Sequence, residues 1–163
     1  MALPRLTPML KVIRMGKTRW LYGLDQTPDD RLSWTPGGEA ASALGLSAKI
    51  VPFLGFVSHM LAHGVMPARP EDGPPPPPPA LAGRDEAKAA VSAAFDTLIA
   101  TMESLSEEDL ARSVTPPWRE ATTIDTMVHF VPVVLGYFQG QLNYAQLAYG
   151  DTNPNIPPGW GTE

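Results

Sequence analysis

Between Glu39 and His63 the chain reads EAASALGLSAKIVPFLGFVSHMLAH, and Gly64 follows as a stop. At helical spacing its middle is apolar nearly all round, through Leu46, Ile50, Val51, Phe53, Leu54, Phe56, Val57, Met60 and Leu61. A helix with so little polar face must lie at the centre of a helical packing or against a partner subunit. The rest of the sequence therefore has to supply cover for it. Pro52 inside the segment predicts a kink and a freed carbonyl one turn earlier.

Three further helical patterns can provide that cover. Thr7 and Pro8 read as N-cap and first helical position of a helix reaching about Leu24. Leu10, Ile13, Trp20, Leu21 and Leu24 share one side of it; Lys11, Arg14 and Lys17 share another, a solvated face. A loop rich in Pro, Asp and Gly follows over Gln26–Gly38, with Trp34 as its anchor. The third helix starts near Arg84 or Asp85 and buries Val91, Phe95, Leu98, Met102 and Leu105. Ser106-Glu107-Glu108-Asp109 reads as a cap opening a short helical turn, and Thr115-Pro116-Pro117-Trp118 as a loop. The fourth helix begins near Thr122 or Thr123, bends at Pro132 and ends at Gly150.

Residues 66–83 form a proline-rich connector, and Pro74–Pro79 within it predict an extended polyproline segment. That run reads as a stiff external connector or as a docking site for a proline-binding module. Its length relaxes an up-down-up-down topology. Residues 152–163 are a Pro- and Gly-rich tail that ends the fold. With 163 residues and no convincing strand alternation, the expectation is a single all-α domain, a four-helix bundle.

Bulk chemistry narrows the function classes. The net charge of −5 argues against a nucleic-acid partner. With no cysteine there is no disulfide, thiolate metal site or cysteine nucleophile. The basic start, Arg5 to Arg19 before the first acid Asp25, lacks the apolar core of a secretory signal; it fits a solvated helix face or an organelle transit peptide. No segment reads as a bilayer span: Met127–Phe138 is too short and holds His129 and Pro132. No membrane partner and a cytoplasmic location are expected.

The last helix carries FQGQLNYAQLAYGD, which resembles the final-helix motif of the DinB/YfiT-like superfamily. LDQTPDDRLSWTP resembles that family's loop after helix one, SALGLSAKIVPFLGF the start of its helix two, and LSEEDLARSV the stretch after helix three. The resemblance runs from about Leu6 to Asp151. It implies a four-helix bundle, often dimeric, with a divalent metal held by one histidine of helix two and two of helix four. Characterised relatives include S-transferases and isomerases that use low-molecular-weight thiols such as mycothiol or bacillithiol. Here the implied ligand positions fall at Lys49, Val134 and Phe138. An ammonium is a poor ligand, and Val and Phe have no donor atoms. Neither the family's metal nor the chemistry that depends on it carries over, and no cofactor is expected.

The remaining chemistry is sparse. Lys49, if it points into the bundle, is a desolvated amine fit for a base, a nucleophile or an anion anchor; otherwise its stem snorkels to solvent. Tyr137, Gln141 and Tyr144 form one stripe on the last helix, and Gln139, Asn143 and Gln146 a neighbouring one. Such groups, when buried, bond between helices or bind a polar ligand. Gly140 reads as a close helix crossing. His59 and His63 stand one turn apart and, with His129, make an alternative metal set. Asp125 and His129 are spaced to pair.

Three readings result. The first is a metal-independent domain binding a small, largely apolar molecule between helices two and four, near Lys49, Val134, Tyr137, Phe138 and Gln141; Lys49 or Tyr137 would move the proton if anything is turned over. The second is a metal-dependent transferase or hydrolase using His59, His63 and His129. The third is a homodimerisation module without a ligand.

Overall fold

A computed structural model of the chain describes residues 2–67, 77–116 and 120–161. A 3-10 turn, Pro4–Leu6, leads into α1, Thr7–Gln26. Leu6 is the N-cap, so Thr7 lies inside the helix rather than capping it. The end of α1 is held from afar: the Arg84 guanidinium donates from Nε to Leu24 O at 3.0 Å and pairs with Asp29 at 2.9 Å. In the following loop Arg31 sits over the rings of Trp34 and Tyr149, which meet edge to face at 5.8 Å.

The central helix, α2, spans Ala43–His63. Ser42 Oγ accepts from Gly45 N–H at 3.1 Å and sets the start later than Glu39. Gly64, at φ 69°, closes the other end in the left-handed conformation that a side chain resists. The helix runs through Pro52. With 21 residues and a mean hydropathy of 1.5, α2 is long and apolar enough to cross a membrane by length and composition, contrary to the sequence expectation. Leu46, Ile50, Leu54, Val57, Met60 and Leu61 are nevertheless buried in the core of this fold.

Helix α3, Arg84–Ser104, buries Val91, Phe95, Leu98 and Met102, with Leu105 just beyond it. The short helix α4, Glu107–Ala111, is opened by a capping box between Ser106 and Asp109. Two-residue strands β1, Ser113–Val114, and β2, Thr122–Thr123, pair antiparallel with Ser113 opposite Thr123. Arg112 Nη2 donates to Leu61 O and Ala62 O at 3.1 Å each, pinning this corner to the end of α2. Helix α5 covers Ile124–Ala148, with Pro132 inside it.

The described residues therefore hold five α-helices rather than four, and the fold is all-α. The four long ones pack in a ring ordered α1, α3, α2, α5. Chain neighbours α2 and α3 touch, so the connections that cross the bundle are the first, α1 to α2, and the last, α3 to α5, not the proline-rich second. Of that second connection, Pro74–Pro76 lie outside the described residues. Pro77–Pro79 are exposed and outside helix and strand. Trp118 also lies outside the described residues. The basic face of α1 is more than solvated: Arg14 pairs with Glu103, and Lys17 with Asp96 at 2.7 Å, tying α1 to α3.

Candidate functional site

The tail does not simply end the fold. Asp151 accepts from Asn153 N–H and from Asn155 Nδ2, and Asn155 is buried at φ 50°. These turns send the chain back along α1, where Pro157 is buried and Trp160 Nε1 donates to Met15 O at 2.9 Å. Trp160 thereby roofs a hollow of about 260 Å³ between α1 and α5.

Its walls are Val12, Met15 and Trp20 of α1, Phe95 of α3, and Pro132 and Leu135 of α5. Two glycines open it. At Gly16 an added Cβ would be 3.9 Å from both Leu135 Cδ1 and Phe95 Cε1; at Gly136 it would meet nothing within 4 Å. Both sit within helices that would be more stable with alanine, so the space is bought at a cost in helix propensity. Both indole donors of the lining are already used: Trp20 Nε1 reaches Ser47 Oγ at 3.2 Å, and Trp160 Nε1 reaches Met15 O. The Gln139 amide, also in the lining, donates to Asn143 Oδ1 at 3.0 Å.

The remaining polar group is Arg19. It is 8 % exposed, its Nη1 has no hydrogen-bond partner, and no carboxylate among the described residues pairs with it. Its guanidinium carbon lies 5.8 Å from the Trp160 ring centre, a cation–π contact. Burial pushes its pKa below the ordinary arginine value.

The whole arrangement is similar to the crystal structure of a DinB-like protein from Bacillus subtilis, with a TM-score of 0.70 at 14 % identity over 93 % of this chain and 96 % of that one. The fold is DinB-like. No family model matches the sequence, and no curated protein does either.

Within this DinB-like fold the sequence-predicted residues lie on α2, for Lys49, and on α5, for Val134, Tyr137, Phe138 and Gln141. Lys49 is exposed, so its amine is solvated rather than buried among apolar groups. Tyr137 is 68 % exposed; Val134, Phe138 and Gln141 are half-buried. Phe138 lies 5.6 Å from Phe53 of α2, ring to ring, and 5.9 Å from Tyr137. At roughly 100° per residue, Val134 and Gln141 lie on the side of α5 away from Pro132 and Gln139, with Tyr137 and Phe138 on its flanks. None of the five lines the hollow. The residues at the positions matching the family's ligands do not fit a metal, since a solvated ammonium, an isopropyl group and a phenyl ring offer no donor set.

The alternative histidine set does not assemble. His59 and His63 rings lie 4.5 Å apart, but no three His, Cys, Asp or Glu among the described residues are grouped to hold an ion. His129 contacts Asp125 through the backbone carbonyl at 2.8 Å, while the Asp125 carboxylate faces Arg5. Gln146, 3 % exposed, donates to Gly23 O at 3.2 Å and joins α5 to α1, the inter-helix role. Gly140 is exposed with nothing within 4 Å of an added Cβ, so it makes no close crossing inside the chain.

Sequence reasoning missed Arg19, Trp160, Gly16 and Gly136. A signal existed for two of them: glycines inside helical patterns that neither start nor stop a helix mark places where space is kept.

Proposed function

We propose that this DinB-like chain, a four-helix bundle of DinB/YfiT type with a proline-rich second connection, binds a small, largely apolar molecule without a metal ion. The hollow between α1 and α5 carries this reading: apolar walls, space opened by two glycines, and an aromatic roof supplied by the tail. Spaces between bundle helices are a common place for such ligands. The seam near Lys49, Val134, Tyr137, Phe138 and Gln141 is the competing location, and no turnover step is assigned to either. Ligand-detected NMR with a panel of neutral and charged apolar fragments tests it, in the wild type, Gly16→Leu and Lys49→Met. Binding lost in Gly16→Leu, with the circular dichroism of a folded protein, and retained in Lys49→Met supports the α1–α5 site. Binding unchanged in Gly16→Leu, or no binding in the wild type, refutes it.

A second reading concerns the outer face of α5. Val133, Tyr137, Tyr144 and Leu147 are 66, 68, 60 and 57 % exposed, and Gly136 and Gly140 lie among them. An apolar stripe carrying two glycines one turn apart is suited to close packing against a second copy of the chain.

A further inference from the structure

We infer that the hollow between α1 and α5 takes a small apolar monocarboxylate, with the carboxylate on the Arg19 guanidinium and the apolar body against Val12, Met15, Phe95 and Leu135. The inference rests on the ligand-binding reading above and names the ligand's chemistry.

Four observations lead there. Arg19 is 8 % exposed and lines the hollow, and its Nη1 donor has no partner. Leaving a buried charged donor unpaired is costly, so a partner that brings an acceptor is favoured. Of the other donors of the lining, both indoles already have acceptors and the Gln139 amide gives one N–H to Asn143 Oδ1. Arg19 is the one charged donor of the lining with an unpartnered N–H. A guanidinium presents its N–H groups as a planar fork, which a carboxylate matches. One buried cation balances one negative charge; a dianionic phosphate would leave charge uncompensated against apolar walls. The volume, about 260 Å³, lies at the small end of ligand sites and suits a molecule of about ten non-hydrogen atoms.

Trp160 gives the site a way in. It is 37 % exposed, and its indole meets α1 through the bond to Met15 O and the contact with Arg19. The roof is carried by the tail rather than by a bundle helix, so it can lift without opening the core.

The test compares octanoate with 1-octanol, an ionised and a neutral probe of similar length, by isothermal titration calorimetry. Wild type, Arg19→Met and Arg19→Lys are used, each checked by circular dichroism. The expected result is octanoate binding at least about tenfold tighter than octanol in the wild type. Arg19→Met should remove that preference while keeping octanol binding, and Arg19→Lys should restore part of it. Equal binding of the two probes by the wild type, or a preference that survives in Arg19→Met, overturns the carboxylate assignment and leaves the apolar site standing. Binding of neither probe overturns both. If Arg19→Met does not fold, the wild-type preference and its partial retention in Arg19→Lys decide.

Discussion

Replacing Tyr149 by phenylalanine should stabilise this protein, although the side chain lies in the most tyrosine- and amide-rich part of the chain. Its hydroxyl is enclosed and makes no hydrogen bond. Thr27 and Gln146 lie near it and counter part of the rise in its pKa, but neither meets the hydroxyl at hydrogen-bond geometry. An enclosed, unsatisfied polar group costs about 1–3 kcal/mol. Removing only the oxygen keeps the ring's edge contact with Trp34 and its place under Arg31. Tyr149→Phe should therefore gain about 1 kcal/mol, or roughly 2–4 °C in Tm for a chain of this size. The pH dependence gives a second readout. Burial pushes the Tyr149 pKa above its ordinary 10.0, with the Asp151 charge adding to the rise. A group whose native pKa is raised contributes stability in full below its unfolded value and loses it as pH rises toward the native one. The wild type should thus lose stability above about pH 10 that Tyr149→Phe keeps, so the gap widens in alkali. Urea unfolding followed by circular dichroism at neutral and alkaline pH measures both. A variant destabilised by about 1 kcal/mol or more at neutral pH would show that the hydroxyl is bonded after all, and the reasoning would fail.

Two further outcomes follow from the same geometry. Gly140→Leu should fold normally, because nothing stands within 4 Å of its Cβ and leucine favours the helix by roughly 0.8 kcal/mol; if a second copy packs on α5, analytical ultracentrifugation should show dimer giving way to monomer, and an unchanged dimer or a monomeric wild type refutes that face. The Asp109 carboxylate accepts from Ser106 N–H and from its hydroxyl, with Arg112 nearby, and these hold its pKa below the usual 3.8. Its contribution is present above that value and fades as pH falls through the lower native one, so Ser106→Ala should lower Tm at neutral pH and flatten the acid limb of the stability profile. An acid limb identical to the wild type's would refute the capping account.

What was legible in the sequence was the periodic part. The spacing gives α3 a buried stripe of Val91, Phe95, Leu98, Met102 and Leu105, and all five are buried. The apolar character of α2 required a central position, and its inner side chains occupy one. Both readings rest on local spacing, which one helix carries by itself. Positions that depend on which helices meet were not legible in this way. Lys49 has the spacing of a core-facing residue only if α2 is buried on every side; in the ring of α1, α3, α2 and α5 one side of α2 faces out, and the ammonium takes it.

The hollow was hidden for a related reason. Arg19 reads in sequence as one more member of the basic, acid-free start and gives no sign of burial. Its burial is contributed by Trp160, far along the chain in a segment whose prolines and glycines read as the end of structure. Asn155 at positive φ and the Asp151–Asn153–Asn155 bonds turn that segment back. Each is a local device of the kind asparagine and aspartate supply in turns. The turn residues could have been read; their target on α1 could not, because a tail carries no periodicity that names its partner. A cation thus passes from solvated face to hollow lining through contacts outside any helix pattern. This places the strongest candidate for ligand recognition in the part of the chain where sequence periodicity is weakest.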